Sequence, residues 1–513
     1  MFKFQNFMLS IRHWNRPSRC VFTLLTLLVF LLIMLRKFEG ITWFVKFSAE
    51  GNYPPETLEA TMNKKDYNSL YSVVETVNPA IAWQSLVLNI LPSSSSNVKI
   101  GMSTFWGRAT NELEIIALNI QHISNDIYKA EFKPSFGGLY KVDIYLTYVN
   151  GEQFEYYARH VRSRMVNVTG SPFLVLVQSR PRPENVTRYC SQSESGTAQG
   201  RWVKCGSLSG IERCGGWQLI PKFDFDGRHG YFWLPYSCQL HYYNNNEMKT
   251  CLAKNGYERI VFTGDSHSRF RTYHWATRLY GACKKCGKNH VKTVFDHVPK
   301  MEWIFDARGT RWPATFPKSV RRPNEIYVHP KTRRSHFSYS FPNSTLNGDL
   351  YFMNFGHWLL REMTFKKYMA EKVVAYLQGV TLMNSTRWIS HSKKGIAKDV
   401  NLLDHRRRVS NSKAKRKRFL WVNSLSLKWR EDKHVTNWTM TPSPSTIGYL
   451  NSFLDQAMRD AGIQVVDAFQ ISNPRLSAVH DATHYAKLFP DGICAGVVEN
   501  TVTNVILNAL CNE

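Results

Sequence analysis

The stretch that decides the fold is Arg259-Ile-Val-Phe-Thr-Gly264-Asp265-Ser266-His-Ser-Arg269. Its apolar start predicts a short buried strand, and residues 266–279 predict a helix. A strand that turns through Gly264 into a helix places Ser266 at the carboxyl edge of a sheet, where open α/β folds bind ligands. Backbone N–H groups at a helix N-terminus can stabilise an oxyanion there. The stretch equally fits a plain helix whose Asp265 or Ser266 is the N-cap.

Strands and helices continue to alternate after this stretch. Buried strands are predicted at residues 350–354, 419–422 and 464–466, and helices at 445–461 and 501–510. This alternation predicts an α/β domain with a parallel sheet over residues 185–513.

A region of different character precedes that domain, at residues 76–180. Short alternating segments are separated by glycine, proline and serine turns and predict an all-β sandwich; they lie at 86–91, 114–120, 128–132, 140–148 and 173–177. Residues 128–144 resemble the end of a filamin-type immunoglobulin-like repeat, in which a strand, a glycine turn and an alternating strand follow one another. We expect this sandwich to bind or space rather than to carry chemistry.

The N-terminus predicts a membrane anchor. Residues 20–35 are sixteen positions without a charge, which lies between a signal-peptide core and a full membrane span. Cations at positions 3, 12, 16 and 19 keep residues 1–19 cytosolic. A cleaved signal is the alternative, but no small-residue cleavage site follows. We therefore predict a single-pass type II protein of the Golgi membrane with a stem at residues 36–75; secretion or the cell surface is less favoured.

Sequons and cysteines agree with a luminal location. The five Asn-x-Thr acceptor sites, predicted to be glycosylated, all follow the span: Asn167, Asn185, Asn343, Asn384 and Asn437. Nine of the ten cysteines also follow it and are expected to form disulfides, with at least one left unpaired. The formal charge of +27 would suggest nucleic acid in another compartment, but in a lumen it favours an acidic glycan or a membrane surface.

A nucleophilic serine needs a base and a group that orients the base. Asp481-Ala-Thr-His484 supplies both, and on a helical turn this spacing puts the two side chains on one face. His480 is a competing base, and two polar residues that simply face water are the alternative. Asn354, after a predicted strand, could donate to an oxyanion, and His357 could orient substrate or join the hydrogen-bond network; a buried, satisfied pair is the alternative.

Taken together and in this order, strand-Gly-Asp-Ser, Asn-x-Gly-His-Trp and Asp-x-x-His resemble the SGNH or GDSL hydrolase superfamily. The resemblance is narrower to its PC-esterase branch, which includes the plant trichome-birefringence-like polysaccharide O-acetyltransferases. A filamin-like sandwich before the esterase-like domain resembles the neurexophilin and PC-esterase domain (NXPE) family. The match covers residues 78–513 and includes Gly200-Arg-Trp202, Trp233-Leu-Pro235-Tyr-Ser-Cys238 and Pro490-Asp491-Gly492.

The resemblance implies a three-layer SGNH-like domain in which Ser266 is the nucleophile, His484 the base and Asp481 its partner. It implies Asn354 and the Ser266 N–H as oxyanion donors, with Gly264 beside them. The superfamily's further oxyanion glycine has no clear counterpart; Gly281 and Gly309 are candidates. The cysteines that flank Asp-x-x-His in the plant branch are replaced by alanines, so that disulfide is absent here.

The implied activity is glycan O-acetyl transfer through an acyl-enzyme, with acetyl-CoA or an acetylated carrier as donor and no bound cofactor. A glycan O-acetyl esterase and a non-catalytic adhesion or ligand-binding protein are the alternatives. A lipid-directed lipase would show an apolar lid helix, and none is evident. Cys283-Lys-Lys-Cys286 could suggest zinc or redox chemistry, but no second Cys or His pair matches it, so no metal site is predicted. The basic run at residues 405–418 is expected to be a solvated loop, with a glycan-facing patch or a processing site as alternatives.

Overall fold

The computed structural model of the chain describes residues 70–75, 80–93, 103–124, 126–148, 166–183, 187–207, 220–283, 286, 292–305, 349–354, 357, 418–427, 443–460, 462–481 and 483–512. None of the described helices combines the length and the apolar composition that a membrane span requires. The predicted span at residues 20–35 and the basic run at 405–417 lie outside them. Of the five predicted acceptor sites, Asn167 is described and exposed, and the other four lie outside the described residues.

The described strands, in chain order, are β1 (Tyr71–Glu75), β2 (Ala80–Ile81), β3 (Leu86–Pro92), β4 (Thr104–Thr110), β5 (Glu114–Ala117), β6 (Asn119–Ser124), β7 (Ile127–Phe132), β8 (Gly138–Tyr148), β9 (Val166–Asn167), β10 (Phe173–Gln178), β11 (Gly200–Lys204), β12 (Tyr231–Pro235), β13 (Arg259–Gly264), β14 (Lys292–Phe295), β15 (Lys300–Phe305), β16 (Leu350–Met353), β17 (Arg418–Val422), β18 (Gln464–Val466), β19 (Lys487–Leu488) and β20 (Cys494–Ala495). The described helices are α1 (Gln192–Ser195), α2 (Asn245–Lys254), α3 (Ser266–Tyr280), α4 (Pro444–Asp460), α5 (Ala468–Ser472) and α6 (Val497–Cys511), with short 3-10 turns at Pro221–Phe223 and Asn473–Ala478.

The predicted sandwich consists of two mainly antiparallel sheets. One has the order β1-β3-β7-β6, and the other has the order β12-β11-β5-β4-β8-β10-β2, with β9 beside β8. Alternation along β3 and β7 supplies the core, because every second side chain, such as Leu88 and its partner Ala130, is buried.

The structure differs from the predicted sandwich in three details. The segment predicted as one strand at residues 114–120 is two strands in different sheets, β5 and β6, because the chain changes sheet at Leu118, whose N–H donates to the Gly107 carbonyl. The sandwich also begins earlier than residue 76, since β1 pairs with β3 inside the range predicted as stem. Strand β4 was missed because its burial does not alternate.

The sandwich and the α/β region share a sheet. Strands β11 and β12 lie after the predicted boundary at residues 180–185, but β11 pairs antiparallel with β5 of the sandwich. Neighbouring residues of a strand face opposite sides. Arg201 therefore faces Glu114 in the sandwich, while Trp202 packs into the hydrophobic core of the α/β region. The predicted boundary separates two chain segments but not two sheets.

The α/β region is built on a six-stranded sheet of order β14-β15-β13-β16-β17-β18. All neighbouring strands from β15 to β18 are parallel, and β14 is an antiparallel edge strand. The predicted parallel sheet is therefore confirmed. Strand β13 lies between β15 and β16, so Gly264 at its carboxyl end is close to Asn354, which follows β16.

Disulfides tie the surroundings of this sheet together. The described pairs are Cys190–Cys238, Cys251–Cys511 and Cys283–Cys286, and Cys205 is also disulfide-bonded. Cys251–Cys511 joins α2 to the end of α6. Cys494 is free and buried. These pairs agree with the prediction of disulfides with at least one cysteine left unpaired. The Cys283-Lys-Lys-Cys286 motif, considered above for zinc or redox chemistry, is one of the disulfides.

Candidate active site

Ser266 lies where β13 passes into α3. The strand ends at Gly264 and the helix begins at Ser266, with Asp265 as N-cap. The Oδ1 atom of Asp265 accepts a hydrogen bond of 2.9 Å from the His267 N–H. The N-cap alternative thus holds for Asp265 and not for Ser266. Ser266 is the first residue of this fifteen-residue helix, and its half-buried hydroxyl is left for another partner.

Gly264 is required by both conformation and space. Its φ of 143° is one that residues with a side chain rarely adopt. A Cβ atom at this position would overlap the carbonyl oxygen of Asn354. The glycine predicted for a tight turn therefore also lets two neighbouring parallel strands approach each other beside the serine.

His484 reaches Ser266 across 218 positions of sequence. Its Nε2 atom lies 2.8 Å from the Ser266 hydroxyl oxygen, and its Nδ1 atom lies 2.7 Å from Oδ2 of Asp481. The structure thus brings the three predicted residues into one line of hydrogen bonds. A proton on Nδ1, donated to the carboxylate, leaves Nε2 to accept the proton of the serine.

Asp481 and His484 are not on a helical turn, contrary to the prediction. The Oδ1 atom of Asp481 accepts from the backbone N–H groups of Thr483 (3.0 Å) and His484 (2.9 Å), while Oδ2 binds the imidazole. The side chain of Asp481 therefore folds the loop around itself, as aspartates do in Asx turns. This turn brings the i and i+3 side chains together without a helix.

His480, the competing base, contacts this turn through its backbone. Its N–H donates to the His484 carbonyl oxygen at 2.7 Å, and its exposed ring lies 5.4 Å from the ring of Phe225. His484 is the histidine that meets Ser266.

The His484 ring packs between two side chains of α3. Its centroid is 4.5 Å from the Phe270 ring and 5.2 Å from the His267 ring, which in turn lies 4.2 Å from His357. Burial, reinforced by His357 and His484, holds the pKa of His267 well below its usual range. Burial also lowers the pKa of His357, although Asp265 opposes the shift. Both histidines therefore favour the neutral form at neutral pH and add no positive charge beside the His484 imidazole.

Asn354 and His357 lie near the serine but are partly engaged by the loop after β17. The Asn354 side-chain amide donates to the Val422 carbonyl at 2.6 Å, and Nε2 of His357 lies 2.9 Å from the Leu425 carbonyl. A primary amide carries two N–H bonds, so one is left for the predicted oxyanion contact. The His357 ring is buried, which fits a role in the hydrogen-bond network better than direct contact with substrate.

Of the two candidate oxyanion glycines, the structure describes Gly281. Gly281 is the C-cap of α3, so the whole helix, about 22 Å long at about 1.5 Å per residue, separates it from Ser266. Gly309 lies outside the described residues. No group of His, Cys, Asp or Glu in the described part of the chain is arranged to hold a metal ion.

The Asp481 carboxyl is held in its charged form. Partial burial acts to raise its pKa, but the hydrogen bonds from the His484 ring and from two backbone N–H groups outweigh burial and hold that pKa well below the usual range. An ionised carboxylate can fix the tautomer of His484 and stabilise the imidazolium that forms when Ser266 gives up its proton. The arrangement is therefore suited to acyl transfer.

A buried ion-pair cluster lies beside the segment that precedes this turn, and it was not predicted from the sequence. Arg475 lies in the short 3-10 segment before Asp481 and binds Asp224 and Asp226. No local pattern identifies such a contact, because Arg475 and Asp224 are 251 positions apart. The pair of aspartates around Phe225 was the available signal.

Comparisons with known proteins add distant likenesses only. No protein-family model matches the chain, and no curated protein sequence matches it. Membership of the NXPE family therefore stays a prediction. Among solved structures, the Lin-41 filamin domain is similar at 13% identity, over 22% of this chain and 94% of that chain, with a TM-score of 0.16.

Two mutant structures of Axe2, an acetylxylan esterase from Geobacillus stearothermophilus, are similar at 11% identity. Each match covers 50% of this chain and 95% of that chain, with a TM-score of 0.22.

Proposed function

We propose that this chain is a serine-nucleophile enzyme of acyl-ester chemistry and, specifically, a glycan O-acetyltransferase. The observation that carries the proposal is the line of hydrogen bonds from Ser266 through His484 to Asp481 at the N-terminus of α3. The resemblance of the three motifs to the PC-esterase branch supports the glycan acceptor and the acetyl group.

In the proposed reaction the Ser266 oxygen attacks the acetyl carbonyl of the donor, while Nε2 of His484 takes the serine proton. The negative charge on the carbonyl oxygen is met by the Ser266 N–H and by the second N–H of the Asn354 amide. Collapse of this intermediate releases the donor's leaving group, a thiol if the donor is acetyl-CoA, which receives the proton from His484. A sugar hydroxyl then attacks the acetyl-enzyme by the same steps in reverse, with His484 as base.

Hydrolysis is the second candidate, and one observation favours it. The side chains of Asp481 and His484 are 44% and 15% exposed, so water can approach the base. Transfer to a sugar requires the acceptor to be held and water to be kept away. A glycan O-acetyl esterase would use the same three residues, with water as the attacking group.

The proposal extends to location and partners. The apolar segment at residues 20–35 and the sequons that follow it support a Golgi membrane protein with its catalytic region in the lumen. The net positive charge supports an acidic acceptor glycan. If so, transfer should prefer acidic over neutral glycans and weaken with added salt.

The decisive variant is Ser266→Ala, compared with wild type and with Ser452→Ala, which removes an exposed serine of α4. The purified proteins are incubated with radiolabelled acetyl-CoA and acidic or neutral glycans, or with O-acetylated glycans. We expect Ser266→Ala to lower glycan labelling by at least about 10³-fold, and Ser452→Ala to retain it.

Acetate release that depends on Ser266, without labelling of any glycan, would replace the transferase by the esterase. If neither activity depends on Ser266, the enzyme proposal is wrong and a ligand-binding protein takes its place.

A further inference from the structure

The segment that leads into the catalytic turn is an irregular one. The 3-10 turn Asn473–Ala478 contains Arg475 with φ −113° and ψ 38°, which is not helical. The Arg475 side chain is fully buried and lies shortly before Asp481 in the chain. A buried guanidinium is costly to desolvate unless its donors are paired, so its partners define where this segment can lie.

Those partners come from the loop that precedes β12. The Arg475 Nε and Nη2 atoms lie 3.0 and 2.7 Å from the two carboxylate oxygens of Asp226, and Nη2 is also 2.5 Å from Asp224. The guanidinium carbon lies 4.7 Å from the ring of Trp202. A planar group held by two carboxylates and an aromatic ring has little freedom to shift.

Two further contacts extend from this loop to the catalytic turn. The Ser477 hydroxyl donates to Asp226 at 3.0 Å. Phe225, between the two aspartates, contacts the ring of His480, whose N–H donates to the carbonyl oxygen of His484. The loop at residues 224–226 thus touches both ends of the segment that precedes the catalytic base.

We propose that Arg475, Asp224, Asp226 and Phe225 form a positioning cluster that sets the Asp481–His484 turn against Ser266. The inference rests on the proposed function for its kinetic consequences but not for its geometry. None of the four residues is a catalytic residue, because they act through the turn.

The requirement for such a cluster follows from the location of the catalytic residues. Ser266 is fixed by a central strand and a long helix, whereas Asp481 and His484 lie in a loop with no regular structure. A hydrogen bond of 2.8 Å between two such segments is kept only if the loop is anchored. Misplacement of a catalytic group by about 1 Å can cost about 100-fold in rate.

The test is Asp226→Asn, with Glu114→Gln as the matched control. Both changes remove a carboxylate from a buried arginine without a change of shape, but Glu114 pairs with Arg201 in the sandwich. We expect Asp226→Asn to lower kcat about tenfold with KM within about twofold, and to alter the pH dependence of kcat/KM through the base. Glu114→Gln should leave both unchanged per folded molecule.

A second variant covers the case in which Asp226→Asn fails to fold. Phe225→Leu changes a partly exposed ring that contacts His480, so it should keep the fold and still lower kcat severalfold. Wild-type kcat and pH profile in folded Phe225→Leu would overturn the proposal.

A structural readout separates this inference from the proposed function. The proton between His484 Nδ1 and Asp481 Oδ2 should give a downfield proton NMR signal in the full-length chain, assigned by its loss in His484→Ala. We expect Phe225→Leu and Asp226→Asn to shift or broaden this signal and Glu114→Gln to leave it unchanged. An unchanged signal in folded Phe225→Leu contradicts the positioning cluster, even if wild type proves inactive and the proposed function has failed.

Discussion

Two buried arginine side chains lie on opposite sides of strand β11 and differ in the carboxylates that they bind. Arg201 points into the sandwich, where its guanidinium carbon lies 4.9 Å from the Trp83 ring centroid and its Nε atom lies 3.4 Å from Glu114. Arg475 lies on the other side, over Trp202, and binds two aspartates. Both side chains are fully buried and both stack on aromatic rings.

The difference is in the number of carboxylates and in where they lie in the chain. Burial lowers the pKa of Arg201 despite its single carboxylate, Glu114. Burial acts in the same direction on Arg475, but Asp226 and Asp224 outweigh it and raise that pKa. Arg201 thus closes a network within the sandwich. Arg475 binds a distant loop to the segment that ends at the Asp481–His484 turn.

The largest expected effect comes from removing each arginine in turn. Breaking a buried ion pair typically costs about 3–5 kcal/mol because the partner is left charged and unpaired. Arg475→Met should lower the free energy of unfolding more than Arg201→Met, since it leaves the carboxylates of Asp224 and Asp226 without their cation. Glu114 keeps acceptor bonds from the Ser135 N–H and the Tyr140 hydroxyl. Urea denaturation of both variants at pH 7 checks this order; equal losses would remove the distinction.

A pH titration of stability sharpens the same comparison through Asp224. Burial raises the pKa of Asp224 to about 6, despite Arg475 nearby, and the pKa in the unfolded chain is about 3.9. Between these values the folded state binds more protons, so the contribution of this group to stability is full below about pH 4 and is lost as pH rises to about 6. Asp224→Asn carries no charge in this range, so we expect its free energy of unfolding to rise relative to that of wild type between pH 4 and pH 7.

The control for this titration is Asp226→Asn, because the pKa of Asp226 is shifted in the opposite direction from that of Asp224. Burial opposes ionisation of Asp226, but Arg475 holds its pKa below the usual range. The stability that Asp226 contributes is therefore present above about pH 4 and lost as pH falls below it. The free energy of unfolding of Asp226→Asn should be lower than that of wild type at pH 7, and the two values should converge in acid. If both variants changed in the same direction, the assignment of one neutral-prone and one charged aspartate would be wrong.

The smallest expected effect concerns the link between the two regions. The Trp106 indole N–H of strand β4 lies 3.1 Å from both the carbonyl and the side-chain oxygen of Asn473, which is close to Arg475 in the chain. Trp106→Phe should cost about 1 kcal/mol of stability and, if the proposed function holds, lower kcat about threefold, because the segment before the Asp481–His484 turn loses one anchor. Tyr128→Phe removes a hydroxyl that accepts from the Ser103 N–H elsewhere in the sandwich, and it should cost similar stability without a change of kcat. A loss of kcat in both variants would point to general destabilisation.

The sandwich, predicted as a spacer or binding module, is joined to the α/β region by strand pairing and by a side-chain hydrogen bond. Its sheet continues into β11 and β12, and its strand β4 contacts the segment before the Asp481–His484 turn. Alternation and turn residues in the sequence predict most strands of each region. The pairing of β5 with β11 could not be predicted in this way, because alternation shows which face of a strand is buried and not which strand lies beside it.

The site divides in a similar way. The strand–glycine–serine–helix stretch predicted where Ser266 lies, since the turn and the helix start are local features. The choice of His484 over His480 and the pairing with Asp481 agree with the geometry, whereas the helical turn assumed for them is an Asx turn. The catalytic and oxyanion roles themselves remain predictions that the Ser266→Ala comparison addresses.

By itself, the sequence determined the local elements of this protein: the buried strand before Gly264, the helix that begins at Ser266, the alternating strands of the sandwich and the expectation of disulfides. These follow from periodicity, glycine conformation and cysteine chemistry, which act over a few residues or through residue type. Only the tertiary structure decided that one sheet serves both regions and that Arg475 meets Asp224 and Asp226. The physical reason is that burial selects such partners: a desolvated charge requires an opposite charge nearby in space, wherever in the chain it comes from.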